Sequence, residues 1–249
     1  MSTPLRIGVL IISKVRLIDL SCIDMFSLID KTYLTEGNFP APLRALGRTV
    51  EIHYIGATGK GTLTTTTASL ALSLTDAYTD DTVAAGKLDI LLIPGCFPDI
   101  TPDEEGLELV RRHARSGTTI LSVCSGCYVL GWSGVCEGRM VTGPRILIPA
   151  LRRKFPGARW DDGQRMVRDG NIWSCGSITN GYYLVAEYMR QTGIPEPLIE
   201  AMYFVADAAS RELEYKGTLA GKVVWLSWQI VKAVPIAIWR RASGLSRAS

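Results

Sequence analysis

The chain has 249 residues, 47% hydrophobic and 20% charged, values that suit a sizeable core and exclude disordered, collagen-like and coiled-coil proteins. Its 27 Lys and Arg against 24 Asp and Glu leave a net charge of +3, which supplies no electrostatic footprint for nucleic acid. Six cysteines are too few in this length for a disulfide scaffold, and the first residues lack a signal-peptide core, so the expected setting is reducing and cytoplasmic.

Residues 6–12 (RIGVLII) form a continuous aliphatic run and predict a strand buried on both faces. Residues 20–29 carry apolar side chains at helical spacing, with Asp19 placed as their N-cap. Residues 49–55 alternate like a strand, and 88–93 (LDILLI) read as a buried strand that Pro94-Gly95 stops abruptly. Residues 103–116 predict a helix, acidic at its start and carrying Arg111, Arg112 and Arg115 near its end, as the macrodipole favours. Residues 118–123 predict another buried strand, followed by a short apolar helix over 126–132. Further on, 145–154 is helical, 166–167 and 172–173 read as strands about an RDGN turn, and 178–190 and 195–209 complete the helices. Strands alternating with helices predict an α/β fold with a mostly parallel sheet, in one domain over 1–249.

Two stretches stay open. Residues 56–81, rich in Thr, Ser and Gly, suit either an exposed hairpin or an irregular loop. The segment 223–239, with Val223 at its head and Trp239 at its end, is apolar but broken by Gln229, Lys232 and Pro235. It reads as a helix docked on the body or on a second subunit, or as a membrane-surface anchor through Trp225, Trp228 and Trp239 with Lys222, Arg240 and Arg241 beside them. Spanning a membrane calls for about 20 apolar residues with few charges, which it does not supply.

The segment Ile120-Leu121-Ser122-Val123-Cys124-Ser125-Gly126-Cys127 carries the chemistry. A buried strand ends at Val123, Cys124 occupies the turn, and a helix follows at once, the pattern of a nucleophile elbow. A helix N-terminus there is expected to lower the thiol pKa, and Ser125 and Gly126 are small enough for close substrate approach. The competing reading is a buried structural cysteine. Cys124 and Cys127 also spell C-x-x-C, but the pair follows a late strand, and Cys127 reads as packing. Cys22, Cys136 and Cys175 read as buried thiols. With His53 and His113 the only histidines, no zinc spacing exists, and no glycine-rich phosphate loop follows a strand, so neither metal nor nucleotide cofactor is expected.

Several ordered motifs resemble the ThiJ/PfpI superfamily, the class I glutamine-amidotransferase-like group, over residues 6–215. They are Ile18 to Phe26 (IDLSCIDMF), Ile93-Pro94-Gly95 with Cys96 for a second Gly, and the elbow Val123-Cys124-Ser125-Gly126. Residues 138–142 (GRMVT), 168–173 (RDGNIW) and 176–181 (GSITNG) follow in the same order. The resemblance implies a flavodoxin-like three-layer sandwich, with residues 216–249 as an apolar extension. Within it, the chain is most similar to the isonitrile hydratase-like branch. That implies Cys124 as nucleophile, Asp19 as general acid and base, Ser125 as the elbow hydroxyl, and an anion held by amides around Gly95, Cys96, Ser125 and Gly126.

Departures bear on the reaction. Protease and amidotransferase branches pair the cysteine with a histidine, whereas here Cys127 follows Gly126 and Gly143-Pro144-Arg145 stands where others carry a T-H-W type sequence. Tyr183 replaces an Asp common after the late Gly. The expectation is a cytoplasmic, homodimeric hydro-lyase on a small electrophilic molecule. A glyoxalase-like enzyme, a hydrolase and a non-enzymatic thiol redox sensor are the alternatives.

Overall fold

Runs of β-branched residues build the sheet because both its faces are covered. The computed structural model describes residues 3–98, 100–206, 212–215, 218–221, 223–225, 227, 228 and 231. In chain order its strands are Leu5–Leu10 (β1), Val50–Gly56 (β2), Leu63–Thr65 (β3), Ala71–Ser73 (β4), Asp76–Ala77 (β5) and Ile90–Ile93 (β6). Thr119–Val123 (β7), Met140–Thr142 (β8), Arg159–Asp161 (β9), Met166–Asp169 (β10) and Ile172–Cys175 (β11) follow. Seven of them form one sheet in the order β10-β11-β7-β6-β1-β2-β5. Every pairing in it is parallel except the hairpin β10–β11.

Alternation along the central strands sorts the core into two layers. Ile7 and Val9 of β1, Ile90 and Leu92 of β6, and Leu121 and Val123 of β7 pack with Met25 and Phe26 and with the helices Asn180–Gln191 and Glu196–Val205. Leu91 and Ile93 of β6 and Ile120 of β7 face the other way, against helices Glu104–Arg115, Cys127–Ser133 and Ile148–Lys154. The result is a three-layer α/β sandwich of flavodoxin-like type: the alternating pattern predicts its α/β class and mostly parallel sheet, and the family resemblance implies the sandwich.

The predicted central strands and long helices are present with ends shifted by a few residues. Residues 56–81 resolve into the small antiparallel hairpin β3–β4 and the edge strand β5. The RDGN turn closes β10 onto β11 with Asp169 opposite Ile172, and Gly170 takes φ +61°, the left-handed conformation such a turn requires. A parallel pair β8–β9 forms its own small ladder beside the main sheet, with β8 backbone amides donating to Asp169 of β10 and Ser174 of β11.

The chain divides into two compact units, Met1–Leu213 and Glu214–Ser249. All the elements above belong to the first. In the second, residues 219–221, 223–225, 227, 228 and 231 are helical. The apolar segment 223–239 therefore lies largely outside the described residues. Among the described residues no helix is long and apolar enough to cross a membrane.

Candidate active site

Topology places the site. The chain runs from β1 to β2 on one side of the sheet, then crosses to β6 and β7 on the other, so the order reverses between β1 and β6. In open α/β sheets the crevice beyond the carboxyl ends of the strands at such a switch is where ligands bind. Three segments leave those ends here: one carrying Arg16 and Asp19 after β1, Pro94 to Phe97 after β6, and Cys124 to Gly126 after β7.

Cys124 follows β7 directly and takes φ +54°, in the left-handed region that residues other than glycine rarely occupy. Such a conformation costs about 1–3 kcal/mol and persists because its surroundings fix it. A single 3-10 turn, Cys124–Gly126, then feeds the helix Cys127–Ser133. Gly126 lets this turn meet the end of β6, since a Cβ there would overlap the carbonyl oxygen of Ile93 and lie 3.0 Å from that of Pro94. Ser125 ties the two loops together: its Oγ donates to the Cys96 carbonyl at 2.7 Å.

Asp19 departs from its expected role as N-cap. It lies inside the helical turn Leu17–Leu20, which Arg16 precedes as N-cap residue, and among the described residues no backbone amide of that turn is capped by its carboxylate. The side chain instead turns into the molecule and is fully buried, with Arg16 Nη1 3.7 Å from Oδ2. Gly95 makes room for it: a Cβ at that position would overlap Asp19 Oδ2 and come within 2.9 Å of Ser125 Oγ. The same Arg16 Nη1 donates to Ser125 Oγ at 3.2 Å, so one guanidinium nitrogen links the carboxylate to the elbow.

Burial pushes the Asp19 carboxyl up to about 6, with Arg16 pulling part of the way back. The Cys124 thiol also moves up, to about 11, first through burial and second through the Asp19 charge. This reverses the lowered thiol pKa expected from a helix N-terminus. The turn is not exposed, since Cys124 is only 9% accessible, and desolvation with a carboxylate nearby outweighs the amides and the Ser125 hydroxyl. At neutral pH Cys124 is therefore held as the thiol and Asp19 as the carboxylate.

The other residues singled out in the sequence lie both at the elbow and away from it. All six cysteines are buried and free. A Cβ at Gly143 would lie 2.6 Å from Cys127 Sγ, so Cys127 and the Gly143-Pro144-Arg145 segment meet as packing partners. His53 Nδ1 pairs with Asp76 at 2.8 Å, and His113 bonds Thr118 Oγ1 and the Val83 carbonyl, so both histidines are engaged outside the elbow. Tyr183 packs half-buried against the core layer that holds Cys124. Among the described residues no group of His, Cys, Asp and Glu could hold a metal ion. Arg16 and Phe97 are the site residues that sequence reading missed. The three-residue spacing from Arg16 to Asp19 was available as a signal, but the Phe97 ring, 5.2 Å from the Arg16 guanidinium carbon, comes from another loop.

The buried carboxyl has a measurable signature. Its folded pKa, about 6, lies above the ordinary 3.8, so the stability tied to its neutral form is complete below about pH 4 and is lost as pH rises through 6. Against an Asp19→Asn variant, urea unfolding should show the wild type losing up to about 3 kcal/mol of relative stability between pH 4 and pH 7. A difference independent of pH would contradict the buried placement.

A parallel flavodoxin-like sheet with a cysteine elbow at its switch point defines the class. The chain belongs to the DJ-1/PfpI family, which it matches over residues 27–191. Cys124 lies inside that match, and Arg16 and Asp19 precede it. Over 122 residues the chain is 33% identical to an isonitrile hydratase of Pseudomonas putida, covering 47% of this chain and 49% of that one. It thus spans about half the length of this curated relative. Among solved structures it resembles a ThiJ/PfpI family protein from Pseudomonas syringae, at TM-score 0.67 and 18% identity over 92% of this chain and 87% of that one. Drosophila melanogaster DJ-1beta follows at TM-score 0.64 and 14% identity, over 84% of this chain and 100% of that one. These likenesses establish the fold.

Proposed function

We propose that the protein is a cysteine-dependent hydratase of small electrophiles, with isonitriles as the nearest example. The observation that carries this reading is the buried Asp19 carboxylate, linked through Arg16 to the elbow of Cys124, with burial pushing its pKa up to about 6. The similarity to an isonitrile hydratase supports the same chemistry.

The resting protonation states suit a shuttle. Asp19 accepts the Cys124 proton as sulfur attacks the terminal carbon of an isonitrile, then returns it to that carbon, leaving a thioimidate on Cys124. Water adds across the carbon–nitrogen double bond, and collapse expels the thiol and releases an N-substituted formamide. The sum is isonitrile plus water to formamide, with no redox change. In this reading the amides around Gly95, Cys96 and Ser125 hold charge that develops on the substrate. A histidine-assisted hydrolase has less support, because both histidines have partners elsewhere. A redox sensor has less support too, because a buried thiol held near 11 is a poor target for oxidants.

Formamide formation from a small alkyl isonitrile, followed by proton NMR, tests the proposal. Below about pH 6 Asp19 is neutral and cannot accept the thiol proton, so kcat/KM should rise with pH through that value and then level. No formamide from any of a series of isonitriles would overturn the assignment, and a rate flat from pH 5 to pH 8 would overturn the shuttle.

A further inference from the structure

We infer that Arg16 sets the substrate class: its guanidinium selects electrophiles that carry a carboxylate. This rests on Cys124 being the nucleophile, and deepens that reading by naming what the substrate presents beside its reactive carbon.

Among the described residues, Arg16 is the cation whose charge acts on both Asp19 and Cys124. Its side chain is 32% exposed, while Asp19 beside it is fully buried and Cys124 is 9% accessible, so it reaches from solvent to the reacting pair. Its placement is held from two sides. Nη1 donates to Ser125 Oγ at 3.2 Å, and the Phe97 ring lies 5.2 Å from the guanidinium carbon. Both links into the site, to Ser125 and to Asp19, use Nη1. A guanidinium offers five N–H donors in a planar fork that matches a carboxylate, and the exposed part of this one is available to a ligand. Its field is felt at both neighbouring thiols, Cys124 and Cys96.

The chemistry at Cys124 changes what Arg16 faces. Before attack, the Asp19 carboxylate offsets its charge. Once Asp19 has taken the thiol proton, that offset disappears, while the guanidinium keeps its charge. A carboxylate on the substrate is then bound more tightly while sulfur attacks and Asp19 holds the proton than in the resting complex, which is the condition for binding to accelerate a step. A solvated arginine needed only to steady Asp19 would not require the Phe97 ring.

Two alkylating agents of similar size, iodoacetate and iodoacetamide, isolate the charge. With either, Cys124 sulfur bonds to the carbon, iodide leaves, and the thiol proton passes to Asp19 or solvent. The readout is the ratio of the two rates at Cys124, by peptide mass spectrometry, normalised to the same peptide in the unfolded chain. Because both reagents meet the same thiol, its acidity cancels. The wild type should favour iodoacetate by about tenfold over the unfolded chain, as expected for a charge-assisted contact. Arg16→Met should return the ratio to the unfolded value, and Arg16→Lys should fall between. A wild-type ratio at or below the unfolded value overturns the proposal without any variant, as does an Arg16→Met ratio equal to wild type. If neither reagent labels folded Cys124 at all, the nucleophile reading falls together with it. If formamide never forms from isonitriles but the ratio behaves as described, the reaction assignment alone fails.

Discussion

Asp19→Asn should lower kcat/KM for a small isonitrile by at least about 100-fold, the lower range of what a positioned acid–base group contributes. Asparagine keeps the shape and cannot carry a proton. The substitution also removes the second-largest influence that holds the Cys124 thiol up, leaving the Arg16 charge in place, so the thiol becomes more acidic. Alkylation of Cys124 by iodoacetamide at pH 7 should therefore speed up in the variant that has lost turnover. That opposition separates proton transfer from damage to the site, which would slow both. If the variant turns over normally, or loses both properties together, Asp19 is not the shuttle.

Cys124→Ser should remove formamide formation by at least about 1,000-fold, because the hydroxyl is a far weaker nucleophile and a lone carboxylate near 6 cannot ionise it. The effect should not come from unfolding. The thiol and hydroxyl differ little in size, and the positive φ at this position is a property of the backbone between β7 and the following helix. His53→Gln, altering a residue that bonds Asp76 and not the elbow, should stay within a few-fold of wild type. A Cys124→Ser protein that still hydrates isonitriles would move the chemistry to another group.

Much of this architecture was legible because strands buried on both faces need unbroken aliphatic runs. Residues 6–12, 88–93 and 118–123 show such runs; β6 and β7 lie within theirs, and β1, Leu5–Leu10, overlaps the first. β5, β8 and β9 have two or three residues each, too few for any period to register. The helices Lys31–Glu36 and Ala41–Leu46 were missed because each is under two turns and lies among Gly37, Pro40 and Gly47. At the site, Cys124 could be found from a strand ending directly on a helix with small residues between. Asp19 was found by resemblance, while its local spacing pointed to an N-cap, because spacing cannot tell a side chain aimed at backbone amides from one aimed at a neighbouring loop. The thiol pKa was misjudged for a related reason. A helix N-terminus is a local feature, whereas the burial and the Asp19 charge that outweigh it are assembled by the fold. The spacing of Arg16 to Asp19 is local, but the contact of Arg16 with Ser125 spans 109 residues of chain and no spacing shows it.

The central claim is that Cys124 forms a covalent bond to the substrate carbon, and a quenched single-turnover reaction tests it most directly. Enzyme in excess over a slowly reacting isonitrile, stopped with acid and digested, is examined by peptide mass spectrometry. The account predicts an adduct of the full isonitrile mass on the peptide that carries Cys124, appearing before formamide and decaying as formamide grows. Formamide released at full rate with no adduct on any cysteine, or with the adduct on Cys96 or Cys127, would contradict it.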